Sequence, residues 1–86
     1  MPEICRFFGI IIAMYHDEHN PPHFHAKYGG QQMEVGLSPI AVRAGGLPPR
    51  ATSMVLEWAA LHQQELLANW QHCRQGESPA KVEPLE

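Results

Sequence analysis

The chain is predicted to be an α+β domain: a small antiparallel sheet of three to five strands, built from β-hairpins and followed by one long C-terminal α-helix packed on one face. Three observations predict it. The first half consists of short apolar or alternating runs, punctuated at Gly9, Pro21-Pro22, Gly29-Gly30, Ser38-Pro39 and Gly45-Gly46. The second half, from Pro48 onward, holds good helix formers with no breaker until Gly76. The whole chain has 86 residues, which is room for a single domain with a thin core.

Each element follows from its local composition. Ile4 to Tyr15, rich in Ile and Phe, reads as one kinked strand or as two short strands meeting at Gly9. His16 to Pro22 is a polar loop closed by two prolines, which cannot donate ladder hydrogen bonds. His23 to Tyr28 alternates, with Phe24, Ala26 and Tyr28 on one face and His23, His25 and Lys27 on the other. Gly29-Gly30 is a two-residue hairpin signal, and Gln31 to Leu37 is the returning strand. Ser38-Pro39 ends that strand, and Ile40 to Ala44 makes a short edge strand. Pro48-Pro49 starts a helix of about 26 residues, roughly 39 Å long at 1.5 Å per residue. Residues 1–76 form the domain; 77–86, with Val82 and Leu85 as anchors, are expected as an extended or frayed tail.

Charge and composition exclude several functions. The net charge of −3 leaves no basic excess to neutralise a phosphate backbone, so nucleic acid is not an expected partner. The longest apolar run, Phe7 to Tyr15, falls far short of the roughly 20 residues that cross a bilayer, and no basic leader precedes it. A cytoplasmic location is expected. Cys5 and Cys73 stand at opposite ends without C-x-x-C spacing, which suits a reduced pair better than a disulfide framework.

Histidine is the compositional anomaly, with six residues against six Lys plus Arg. Hairpin arithmetic gives four of the six a place. If Gly29-Gly30 is a two-residue loop, Tyr28 pairs with Gln31, Phe24 faces Val35 and Ala26 faces Met33. On the opposite face His25 then meets Glu34, His23 meets Gly36 and Lys27 meets Gln32, with opposed Cβ atoms about 4.5–5.5 Å apart. If the preceding strand folds back with Tyr15 against His23, then Ile10, Ile12 and Met14 join the apolar face. Ile11, Ala13 and Tyr15 flank the histidines, and His16, Asp17 and His19 hang at the strand end.

The outcome is a shallow pocket with imidazole and carboxylate groups at its floor, and three chemistries suit it. One is a metal site at His23, His25 and Glu34, completed by His19 or Asp17, taking Zn²⁺, or Fe²⁺ or Mn²⁺ where positions stay open. Another is a polar hairpin face whose histidines hydrogen-bond Glu34 and loop carbonyls. The third is general acid–base catalysis by the histidine pair. Tyr15 and Asp17 are candidate binding residues at its edge.

The helix carries Ala51, Met54, Val55, Trp58 and Leu61 in one apolar sector, with Leu56 and Leu67 reaching almost to the opposite side. A helix so apolar is expected to cover the sheet and something else, either a second chain or the returning tail. His62, Glu65 and Asn69 fall within this sector at helical spacing. They suit a hydrogen-bonded polar seam better than a ligand set, although Trp58, His62 and Glu65 are kept as candidate binding residues.

Several runs resemble one known family. They are Arg6-Phe7-Phe8-Gly9-Ile10, Glu18-His19-Asn20-Pro21-Pro22-His23-Phe24-His25-Ala26, Tyr28-Gly29, Leu47-Pro48, Leu56-Glu57-Trp58-Ala59, His62, Glu65-Leu66 and Asn69-Trp70. Together they are similar to the bacterial domain-of-unknown-function family 4160. The resemblance implies a short bacterial or archaeal protein, often encoded beside another small uncharacterised protein, with a regulatory or toxin–antitoxin-like role. It supplies no established activity, cofactor or catalytic residues to carry over. The expected function is therefore a partner-binding or regulatory module, acting as a homo-oligomer or with a small protein partner. The alternative is a metal-binding protein or metal-dependent enzyme using the His/Glu patch.

Overall fold

The structure, a computed structural model, describes residues 3–16 and 18–86. Five antiparallel strands run as a simple meander, β1 (Glu3–Phe7), β2 (Ile10–Ala13), β3 (His23–Tyr28), β4 (Gln31–Leu37) and β5 (Ile40–Gly45), each beside its sequence neighbours. Two helices follow, α1 (Pro49–Leu61) and α2 (Gln63–Arg74). Among the described residues no helix is long and apolar enough to cross a membrane.

Turn chemistry sets the sheet. The β1–β2 turn is Phe8-Gly9, with φ of 51° and 80° between the paired residues Phe7 and Ile10. Two positive φ values give the primed turn whose twist matches the flanking strands. Gly29 at φ 59° opens the β3–β4 turn, and the observed pairs are those the hairpin arithmetic gives, from Tyr28↔Gln31 through His25↔Glu34 to His23↔Gly36. The β2–β3 offset also matches, with Ile11↔Lys27, Ile12↔Ala26 and Ala13↔His25. Bulges interrupt β1 between Glu3 and Cys5 and the β4–β5 ladder between Glu34 and Val35. At the second, Val35 faces Val42 while Glu34 faces Ala44, so Arg43 is the extra residue.

This register sorts the side chains. Phe7, Ile10, Ile12, Met14, Phe24, Ala26, Met33, Val35 and Leu37 are buried and join the helices' Ala51, Val55, Trp58, Leu66 and Trp70 in one core. Trp58 is fully buried at its centre, with ring centroids 5.6 Å from Phe7 and 5.7 Å from Phe24. Its indole N–H donates to Glu83 O at 2.7 Å, which lets an amphipathic ring sit wholly inside.

The single long helix expected from the sequence is corrected to two. His62, at φ −119° and ψ 22°, leaves the helical region, and its N–H is shared between Trp58 O and Ala59 O at 3.2 Å each. No Gly or Pro lies there. Contacts of the second half support the break. Gln63 Nε2 donates to Leu37 O at 2.8 Å, and Leu66, Trp70 and Cys73 bury themselves. His62 Nδ1 meets Glu65 Oε1 at 2.7 Å, closing the first turn of α2 by a side-chain pair at capping-box spacing.

The break also redistributes the apolar surplus. Leu56 and Leu67 pack, half-buried, against the core, and Leu61 alone of the helical leucines is well exposed, at 68%. Residues 77–86 carry no regular structure, yet they return across the domain. Val82 is buried and its N–H donates to Ile4 O at 2.9 Å on the β1 edge. Asn69, itself buried, holds Ala80 through both of that residue's backbone groups, Nδ2 to O and N to Oδ1, each at 2.9 Å. The returning tail thus takes the place the helix left for a covering element.

Replacing Asn69 with Ala removes both bonds to Ala80. The expected loss is about 1–3 kcal/mol of unfolding free energy, measured by urea denaturation. An unchanged midpoint would show that the two bonds to Ala80 contribute nothing to stability.

Candidate functional site

The site lies where β3 begins. Period-two alternation puts His23 and His25 on the sheet face opposite Phe24 and Ala26, and the loop leading into β3 brings Glu18 to them. His25 Nε2 lies 2.5 Å from Glu18 Oε1, and His23 Nε2 lies 3.6 Å from Glu18 Oε2. One donor atom from each of Glu18, His23 and His25 falls within 4.8 Å of the others.

Hydrogen bonding orients both rings. His23 Nδ1 is 2.8 Å from Pro21 O, a carbonyl that can only accept. Nδ1 therefore carries the proton, and in the neutral ring Nε2 keeps its lone pair on the side of Glu18. Arg43 Nη1, 3.5 Å from the same Nδ1, is then a donor facing a donor rather than a partner. His25 Nε2–H donates to Glu18, and its ring is flanked by Tyr15 at 5.0 Å and by His23 at 5.3 Å, edge to face. Trp70 of α2 lies 5.0 Å from His23, which is only 5% exposed. The same indole N–H donates to Asn20 Oδ1 at 3.3 Å, tying helix, loop and strand together.

The residues named from sequence are partly brought together. His23, His25 and Tyr15 meet. Glu34 faces His25 across the ladder as expected, but its carboxylate is 3.1 Å from Arg43 Nη1 and is engaged there. Gly36 leaves space beside His23, and the Arg43 stem fills it: a Cβ at Gly36 would lie 3.1 Å from Arg43 Cδ. His19 is exposed and outside the cluster, while Asp17 lies outside the described residues. His62 and Glu65 pair with each other at the helix junction, and Trp58 is a core residue. Sequence reasoning missed Glu18 and Trp70. Strand arithmetic cannot place a loop residue, and Trp70 is a core residue whose indole also reaches the His23 ring, a contact between helix and strand that no local pattern shows.

Beside His25 the sheet surface sinks into a depression of about 310 Å³, lined by Tyr15, His25, Gln32, Glu34, Ala44 and Gly45. The donor set is two imidazoles and one carboxylate. Donors around one such ion lie about 2.0–2.2 Å from it, hence within roughly 4 Å of one another; here the donors fall within 4.8 Å, with Glu18 and His25 in hydrogen-bond contact. Three protein ligands leave positions open for water or substrate.

A family model described as a domain of unknown function (DUF4160) matches residues 9–71, which include the whole cluster. The chain belongs to that family. A search of curated proteins finds no match, and neither does a search of solved structures. The function of this DUF4160 member must accordingly be argued from the geometry.

The thiols stand apart from that geometry. Cys5 and Cys73 are free and buried, and burial pushes both thiols above their ordinary value of 9.0. Neither is an activated nucleophile. A thiol harder to ionise in the folded chain than in the unfolded one leaves stability intact below the unfolded value and erodes it as pH rises through that value towards the folded one. Cys73→Ala is expected to lose less stability between pH 7 and pH 10 than the parent, compared by urea midpoints. An equal loss would place the alkaline transition elsewhere.

Proposed function

We propose that this protein binds a divalent transition-metal ion, Zn²⁺, Fe²⁺ or Mn²⁺, through Glu18, His23 and His25. The observation that carries this reading is the convergence of the three donors, with His23 fixed by Pro21 O in the tautomer that offers Nε2. Metal-bound histidines commonly have their other ring nitrogen held in this way. The ion would take the place of the His25 proton that Glu18 now accepts. Its unfilled positions would serve as a Lewis acid or activate a water for a ligand entering from the depression beside His25. Glu34, paired with Arg43, is assigned to the surroundings of the site rather than to the ligand set.

The test is metal analysis of the untagged protein, together with titration of the metal-free form. About one equivalent of metal is expected, and His23→Ala, His25→Ala and Glu18→Gln should each reduce it strongly. Glu34→Gln should retain it. Because Trp70 packs on His23, Co²⁺ titration should quench fluorescence in the parent, and Trp70→Phe should remove most of that response. Metal below a tenth of an equivalent, with no quenching at excess Co²⁺, would sink the proposal.

A further inference from the structure

At the opposite end of β3 the chain builds a second concave surface. A groove of about 280 Å³ runs between the β1–β2 turn, the end of β3 and the start of α1, lined by Phe8, Tyr28, Pro48, Arg50, Ala51 and Met54. Phe8 is 61% exposed and Tyr28 39%, two of the exposed large hydrophobic side chains of the molecule. Phe8 stands at φ 51°, a turn position suited to Asn or Gly and unfavourable for a bulky ring. An aromatic there does not satisfy the turn, and it meets the core only edge-on, through the Phe7 ring 6.3 Å away. Beside it, Gly9 gives Tyr28 its place, since a Cβ at Gly9 would lie 3.3 Å from the Tyr28 ring.

The side chains of this groove are those of an interface core. Aromatic residues, Met and Arg are enriched at such centres, whereas Lys, Glu, Asp, Ser and Ala are depleted. Here four of the six lining residues, Phe8, Tyr28, Met54 and Arg50, are of the enriched types, Ala51 is the one depleted type, and no acidic side chain lines the groove. Its one charge is Arg50, which among the described residues has no ion pair and has no acidic neighbour in the first turn of α1. The volume, about 280 Å³, has room for one large side chain.

From this we infer that the groove docks an acidic segment of a partner protein, which inserts one aromatic or large aliphatic side chain between Phe8, Tyr28 and Met54 and sets a carboxylate against Arg50. The surface is distinct from the Glu18–His23–His25 cluster and does not depend on metal. It gives the expected partner-binding role a location on the sheet turns, away from the helix leucines.

The probes are blocked synthetic hexapeptides with a central Trp flanked by Glu, the same peptide with Lys for Glu, and the same with Ala for Trp. Binding is read by fluorescence anisotropy and by the shift of the Met54 methyl signal. The acidic Trp peptide should bind best and move that methyl. Arg50→Glu should turn the preference towards the Lys peptide. Phe8→Asn puts a residue suited to positive φ into the turn, so it should raise the thermal midpoint while weakening the acidic peptide about tenfold or more. Binding indifferent to peptide charge, or unchanged by Phe8→Asn, overturns the inference. So does a concentration-dependent dimer that Phe8→Asn dissolves, which would assign the groove to a second copy of this chain.

Discussion

Core and candidate site share one constraint, the side-chain alternation along His23-Phe24-His25-Ala26 once Gly29-Gly30 has fixed the hairpin register. Phe24 and Ala26 are fully buried beneath the helices because the register points them there. The same register leaves His23 and His25 no option but the other face. A slip of one residue would exchange the two sets, turning both imidazoles towards Trp58 and carrying the Phe24 ring to the opposite face. The burial of Phe24 against Trp58 is therefore also what holds the histidine pair in position. A substitution that loosens that packing would disturb the site without touching it.

The second histidine partner comes from the loop, and the loop is held at several points. Asn20 accepts from Trp70, Pro21 O accepts from His23, and Pro22 O accepts from the Leu37 N–H at 3.1 Å. These bonds reach α2, β3 and β4 in turn. Glu18 thus approaches His25 from a chain segment that is already restrained, so a bound ion would have to part the Glu18–His25 hydrogen bond but not to order the loop. Pre-organisation of this kind lowers the entropy lost on binding.

Much of the fold was legible from residue order, because turn residues and alternation are local signals. Gly9, Gly29-Gly30 and Ser38-Pro39 mark the turns, and between them the apolar residues at every second position identify the buried face. The helix break was not legible. Nothing in Leu61-His62-Gln63 disfavours a helix strongly, and the break is fixed by contacts distant in sequence, such as Gln63 with Leu37. The site was legible in half. His23 and His25 follow from strand parity, and Glu34 does stand opposite His25. What parity could not show is that the bulge in β5 supplies Arg43 to occupy Glu34, leaving the histidines to a carboxylate from the loop.

Arg43 therefore shapes the site in two ways. By neutralising Glu34 it keeps a second carboxylate from competing for His25, and its stem fills the gap that Gly36 leaves beside His23. A larger residue at position 36 would push the guanidinium away and return Glu34 to solvent or to His25. The small residue, the bulge and the ion pair act as one device, and its effect is to select Glu18 as the carboxylate partner. The carboxylate partner of the histidines is thus decided two strands away from the loop that supplies it.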